Sequence, residues 1–128
     1  MKVIICGGRS LDDYSLVKNV MDEVAARIDI DEIVCGEARG ADSLGKLWAI
    51  ENNIDIVSFW PNWNRYGRAA GTLRNEKMGN YADYVIAFWD GKSTGTKHMI
   101  HYMEQLGKNG EVYLYEGNAG AGNGRKGQ

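Results

Sequence analysis

Five short apolar runs punctuate the chain, at residues 3–6, 33–35, 56–60, 84–89 and 112–115. Most are too uniformly apolar for half-exposed strands and read as strands buried on both faces. Between them the rhythm changes. Val17, Val20, Met21, Val24, Ala25 and Ile28 recur at i, i+3 and i+4, the period of an amphipathic helix, with Asp12 or Asp13 as its cap. Ala41, Leu44, Gly45, Trp48 and Ala49 repeat that rhythm after Gly40 or Asp42. Thr96, Met99, Ile100, Met103 and Leu106 do so again, and Gly107 or Gly110 can end that helix. Residues 68–80 read as a further helix on weaker patterning. Five strands alternating with four helices predict an α/β, Rossmann-like doubly wound parallel sheet of order 3-2-1-4-5, with helices on both faces.

That order says where to look for function. In open parallel sheets ligands bind beyond the carboxyl ends of the strands, where the winding reverses, here between strands one and four. The loops that follow Cys6, Cys35 and Trp89 are all rich in glycine and polar residues. In the first, Gly7 and Gly8 permit close backbone approach, and Arg9 and Ser10 add donors for a phosphate. A tight turn without a ligand suits the glycine pair equally, and G-x-G-x-x-G is absent.

The second loop, Gly36-Glu37-Ala38-Arg39-Gly40-Ala41-Asp42-Ser43, leads into a helix whose amino end favours an anion. Asp42 or Ser43 reads first as a helix cap. Glu37, at the end of a central strand and without evident structural duty, reads as an acceptor for ribose hydroxyls or as a solvated loop residue. The third loop, Asp90-Gly91-Lys92-Ser93-Thr94-Gly95-Thr96-Lys97, is not a Walker loop, because that spacing needs glycine where Ile86 stands. It remains a strand, a glycine- and hydroxyl-rich loop and a helix start, the arrangement that cradles phosphate through backbone N–H groups and the hydroxyls of Ser93, Thr94 and Thr96. Trp60, Trp63, Arg65, Tyr66 and Arg68 form either a stacking and cation–π platform for a base or an ordinary packed connection.

Composition narrows the classes. The 128 residues are 44% hydrophobic and 25% charged, with a net charge of −2, which suits one compact unit and argues against a general electrostatic grip on nucleic acid or an anionic membrane. No apolar run approaches the ~20 residues of a spanning helix, and the start lacks a signal-peptide pattern. A cytoplasmic protein with reduced Cys6 and Cys35 is expected. Gly117, Gly120, Gly122, Gly124 and Gly127 mark 117–128 as a flexible tail, which leaves 1–116 as the folded domain. His98, His101 and Glu104 read as a solvated helix face, so neither a metal nor a cofactor is expected.

The ordered set Val3-Ile4-Ile5-Cys6-Gly7-Gly8-Arg9, Ala38-Arg39-Gly40-Ala41-Asp42, Trp63-x-x-Tyr66-Gly67-Arg68-Ala69-Ala70-Gly71, Arg74-Asn75-x-x-Met78 and Gly91-Lys92-Ser93-x-Gly95-Thr96 resembles the YspA-like branch of the SLOG superfamily. The resemblance covers nearly all of the chain outside 117–128. It implies a Rossmann-like domain related to the LOG phosphoribohydrolases and the DNA-processing protein DprA, common in bacteria and phages. It also implies a nucleotide-derived ligand and, by analogy with LOG enzymes, a homodimer. One departure matters: the glutamate of the LOG motif P-G-G-x-G-T-x-x-E falls on Met99, and a thioether cannot serve as a general acid.

Three readings are open at this point. In the first, a nucleotide-derived small molecule is bound. Gly7, Gly8, Ser93, Gly95 and Thr96 hold phosphate, Arg9 and Arg74 balance its charge, Glu37 takes the ribose, and Trp63 or Tyr66 flanks the base. Ser10, Gly36, Arg39, Gly40, Asp42, Asn75, Gly91 and Thr94 complete the rim. In the second, the N-glycosidic bond of a nucleoside monophosphate is cleaved, with Arg74 orienting phosphate and Glu37 or Asp90 as acid or base. The third is DprA-like handling of single-stranded DNA along residues 65–77, which the near-neutral net charge disfavours.

Overall fold

A computed structural model describes residues 1–116; the tail expected at 117–128 lies outside the described residues. The elements run β1 (Lys2–Gly7), α1 (Tyr14–Ala25), β2 (Glu32–Cys35), α2 (Ala41–Glu51), β3 (Asp55–Ser58), α3 (Trp63–Tyr66), a 3-10 turn (Gly67–Ala69), α4 (Ala70–Tyr81), β4 (Tyr84–Trp89), α5 (Thr94–Gln105) and β5 (Asn109–Leu114). The sheet has the expected order β3-β2-β1-β4-β5, and every pairing is parallel.

Alternate residues of β1 face opposite layers, as the strand period requires. Val3 and Ile5, with Ile33, Ile86 and Phe88, pack beneath Val17, Met21 and Val24 of α1 and Trp48 and Ala49 of α2. Ile4 and Cys6, with Val34, Val85 and Ala87, pack beneath Met78 of α4 and Met99 and Met103 of α5. Each such fully buried large side chain is worth roughly 1.5–3 kcal/mol. The helix ends are set locally. Asp13 accepts from the Leu16 N–H at 3.2 Å, Ser93 caps α5, and Gly107 closes α5 with φ 74°. Gly110 instead lies inside β5, against Val85.

Several expectations shift. The edge strands β3 and β5 are half exposed rather than buried on both faces, and Leu114 is 71% exposed. Strand β3 stops at Ser58, two residues short of Trp60, which stands in solvent before Pro61. Ile28 lies beyond the end of α1, and Leu106 is exposed at the end of α5 rather than in the core. The helix expected over 68–80 starts only at Ala70, because Gly67, at φ 55°, breaks the chain direction between α3 and α4. Among the described residues no helix is long and apolar enough to cross a membrane.

Candidate functional site

A cavity of about 310 Å³ opens at the carboxyl end of the sheet. Its walls come from the end of β1 (Cys6, Gly7 and the nearby Arg9), from Ala38 and Asp42 around the start of α2, from Trp63 and Arg68, from Gly71, Thr72, Arg74, Asn75 and Met78 of α4, and from Ser93, Gly95, Thr96 and Met99 at the start of α5. The floor is tight at Gly7, where a Cβ would run into the Phe88 carbonyl and approach Ala41 to 2.8 Å. The loops after β1 and β2 are locked together. The Ala41 N–H donates to the Gly8 carbonyl at 3.3 Å, and the left-handed Gly40 (φ 75°) lies so close that a Cβ would stand 2.8 Å from Arg9 Cα.

The α5 side is ordered by Asp90. One of its oxygens accepts from the N–H groups of Lys92 and Ser93, each at 2.8 Å, and this turn presents Ser93 as the helix cap. Burial would raise the Asp90 carboxyl, but those two donors outweigh it and hold the group below its ordinary value. The Ser93 and Thr96 hydroxyls lie 3.1 Å apart, and Thr96 is buried. At Gly95 a Cβ would meet nothing within 4 Å, so the backbone there is open to whatever enters.

The α4 side is held by Arg74 and Asn75. Arg74 donates to the Gly36 carbonyl and, from Nε, to the Asn75 side-chain oxygen at 3.0 Å. Gly36 leaves room for this contact, since a Cβ would come within 2.7 Å of the guanidinium and displace it. Burial lowers the Arg74 guanidinium and the nearby Asp42 charge opposes that shift. Asn75, itself buried, donates to the Gly95 carbonyl at 3.2 Å and thereby ties α4 to the start of α5.

Asp42 is not the cap that its position suggested. The α2 N-cap is Gly40, and one Asp42 oxygen accepts from the N–H groups of Gly36 (3.0 Å) and Ala38 (3.1 Å), folding the preceding loop over the helix start. It is 5% exposed and lines the cavity. Burial raises its carboxyl to about 6, against the pull of the Ala38 N–H and Arg74.

Glu37 has the structural duty that the sequence did not show. Its carboxylate accepts from Lys46 Nζ at 2.7 Å and from the Ser58 hydroxyl, and it does not line the cavity. Burial would raise it, but Lys46 and Ser58 hold it low. Gly8 and Ser10 turn the other way, against Tyr115: a Cβ on Gly8 would collide with the Tyr115 hydroxyl, and Ser10 Oγ lies 3.2 Å from it. Gly36, Gly40, Tyr66, Asp90 and Gly91 do not line the cavity, Thr94 lines a second pocket with Lys97, His98 and His101, and Arg39 is exposed. Trp63, Arg9, Asp42, Arg74, Asn75, Gly7, Ser93, Gly95 and Thr96 are brought together as walls. Arg68, Gly71 and Thr72 join them, missed because their signal lay only in the basic character of that stretch and in the Arg68-to-Gly71 part of the family pattern. Arg9 and Arg68 have no carboxylate within ion-pair distance among the described residues.

Among the described residues no group of three or more His, Cys, Asp and Glu side chains stands where it could hold a metal ion. Burial raises the Cys6 thiol strongly and the Cys35 thiol to about 11, which disfavours the reactive thiolate at both.

No solved structure matches the chain. The Gene 61 protein of Mycobacterium phage D29 is 31% identical over 113 residues, which span 83% of this chain and 90% of that protein. A model of the YspA, cpYpsA-related SLOG family matches residues 1–66, which carry the β1 loop, the Gly40-to-Asp42 corner and Trp63. The chain belongs to the YspA, cpYpsA-related SLOG family.

Proposed function

We propose that the protein binds a nucleotide or nucleotide-derived small molecule at the carboxyl ends of its strands. One observation carries this reading: the cavity gathers three arginines, Arg9, Arg68 and Arg74, with the amino end of α5, and two of those cations have no ion-pair partner among the described residues. Guanidinium groups and open backbone N–H groups together favour phosphate oxygens. Half-exposed Trp63 at the same wall supplies a face on which a base can stack. Membership of the SLOG family supports the same coarse class of ligand.

Cleavage of an N-glycosidic bond finds less support. Glu37 and Asp90 are both committed to hydrogen bonds and held in the ionised form, and Met99 occupies the place of the LOG-motif glutamate. A calorimetric panel of nucleoside mono-, di- and triphosphates, cyclic nucleotides and ADP-ribose tests the proposal. At least one compound is expected to bind saturably; binding by none overturns it.

A further inference from the structure

The Asp42 side chain is more than nine-tenths buried, yet only one of its two oxygens has donors. No described residue donates to the other, and no cation forms an ion pair with the group. Buried carboxylate oxygens are normally satisfied, and an ionised carboxylate can only accept. The cavity that Asp42 lines is otherwise furnished with donors and cations, so an incoming phosphate finds its partners elsewhere. An uncharged donor on the ligand is what this oxygen lacks, and in a phosphorylated nucleoside the sugar hydroxyls are the donors that every base has in common.

We propose that Asp42 reads the sugar, accepting a hydrogen bond from a ribose hydroxyl on its second oxygen, so that the site takes ribonucleotides in preference to their deoxy forms. This rests on the nucleotide reading above and assigns to Asp42 the role that the sequence suggested for Glu37. A site built to accept from a hydroxyl rejects the analogue that lacks it, because the buried oxygen is then left without a donor.

The selectivity also depends on pH. Seven groups bear on Asp42: the Gly36 and Ala38 N–H groups and the Glu37 charge from the loop before α2, the Lys46 charge from α2, the Arg74 charge from α4, and the Cys6 and Cys35 thiols at the ends of β1 and β2. With its carboxyl raised to about 6, Asp42 is an ionised acceptor above that pH and a neutral acid below it. The preference for ribose is therefore present above about pH 6 and shrinks as the pH falls through that value. Protonation of the ligand phosphate affects ribose and deoxy forms alike and cancels in the ratio.

The test compares ADP with 2′-deoxy-ADP and 3′-deoxy-ADP, and ribose 5-phosphate with 2-deoxyribose 5-phosphate as a base-free pair, on the wild type and on Asp42→Asn. The asparagine carbonyl can still accept from Gly36 and Ala38, while its amide turns a donor toward the cavity. At pH 7.5 the wild type is expected to bind the ribose member at least tenfold more tightly than at least one deoxy form. Asp42→Asn should lower that ratio several-fold, because its amide offers the hydroxyl only a weaker, uncharged donor in place of the carboxylate acceptor. Should Asp42→Asn fail to fold, the wild-type ratio measured from pH 5 to 8 decides alone. Equal binding of ribose and deoxy forms at pH 7.5, an undiminished preference in Asp42→Asn, or a ratio flat with pH overturns this proposal and leaves the nucleotide reading standing. Binding of none of these probes overturns this proposal, and failure across the wider panel overturns the nucleotide reading as well.

Discussion

The two ends of the sheet treat charge in opposite ways. At the amino end, charges are matched within the chain. Met1 bonds Asp31 and the Asp29 carbonyl, and Lys108 Nζ donates to the carbonyls of Gly79, Asn80 and Ala82 where α4 ends. Glu111 is gripped by both Arg27 nitrogens and by the Tyr84 and Tyr113 hydroxyls. At the carboxyl end Glu37 is likewise paired, with Lys46, but Arg9 and Arg68 line a cavity with no ion-pair partner among the described residues, and Gly95 leaves its backbone open. Satisfied charges hold a fold together; unsatisfied ones beside a concavity await a partner. Residue types alone cannot make that distinction, since both ends contain arginines, acids and glycines.

If this contrast is sound, substitutions at the two ends should fail in different assays. The largest effect is expected from Arg9→Ala combined with Arg68→Ala. Nucleotide or pyrophosphate affinity should fall about 100-fold or more, at roughly 1.5–3 kcal/mol for each charge-assisted contact, with the melting temperature nearly unchanged. Calorimetry and thermal unfolding on the same preparation check both halves.

At the opposite end, Glu111 should matter for stability alone. Burial would raise its carboxyl, but Arg27, Tyr113 and Tyr84 outweigh that and hold it down to about 2. A group depressed in the folded state stabilises the protein above its unfolded value, near 4.5, and that contribution is lost as the pH falls toward 2. Denaturation between pH 5 and 2 should show an acid-sensitive component of order 2–3 kcal/mol that is missing in Glu111→Gln. Lys108→Met should cost about 2 kcal/mol by stranding the carbonyls where α4 ends, with ligand affinity untouched.

A smaller effect discriminates more finely. Gly95→Ala adds a methyl group where nothing in the protein stands within 4 Å, and it replaces the poorest ordinary helix former. Stability should hold or rise slightly. Affinity should fall about tenfold if a phosphate approaches that backbone closely. A variant that binds as well as the wild type would move the anion away from α5.

Much of this architecture was legible in the chain. Buried runs such as Val3–Ile4–Ile5 and Tyr84–Trp89, set against helical periods, determine a parallel sheet almost without alternatives. Sheet order then points to three loops. Individual side-chain duties were far less legible, because they depend on partners distant in sequence. Glu37 looked unemployed until Lys46 and Ser58 arrived beside it. Asp42 looked like a cap because its position fits one, yet it reaches back to Gly36 and Ala38. The edges of the sheet were misjudged for a related reason: Val112 and Leu114 read as core, but no further strand covers β5 among the described residues.

Backbone amide shifts recorded during a titration with pyrophosphate, a probe that carries no base or sugar, test the central contrast most directly. Saturable perturbations are expected to concentrate at Gly7, Arg9, Gly95 and Thr96, with Lys108 and Glu111 still. Perturbations absent from those four residues, or centred on the amino end of the sheet, would contradict it.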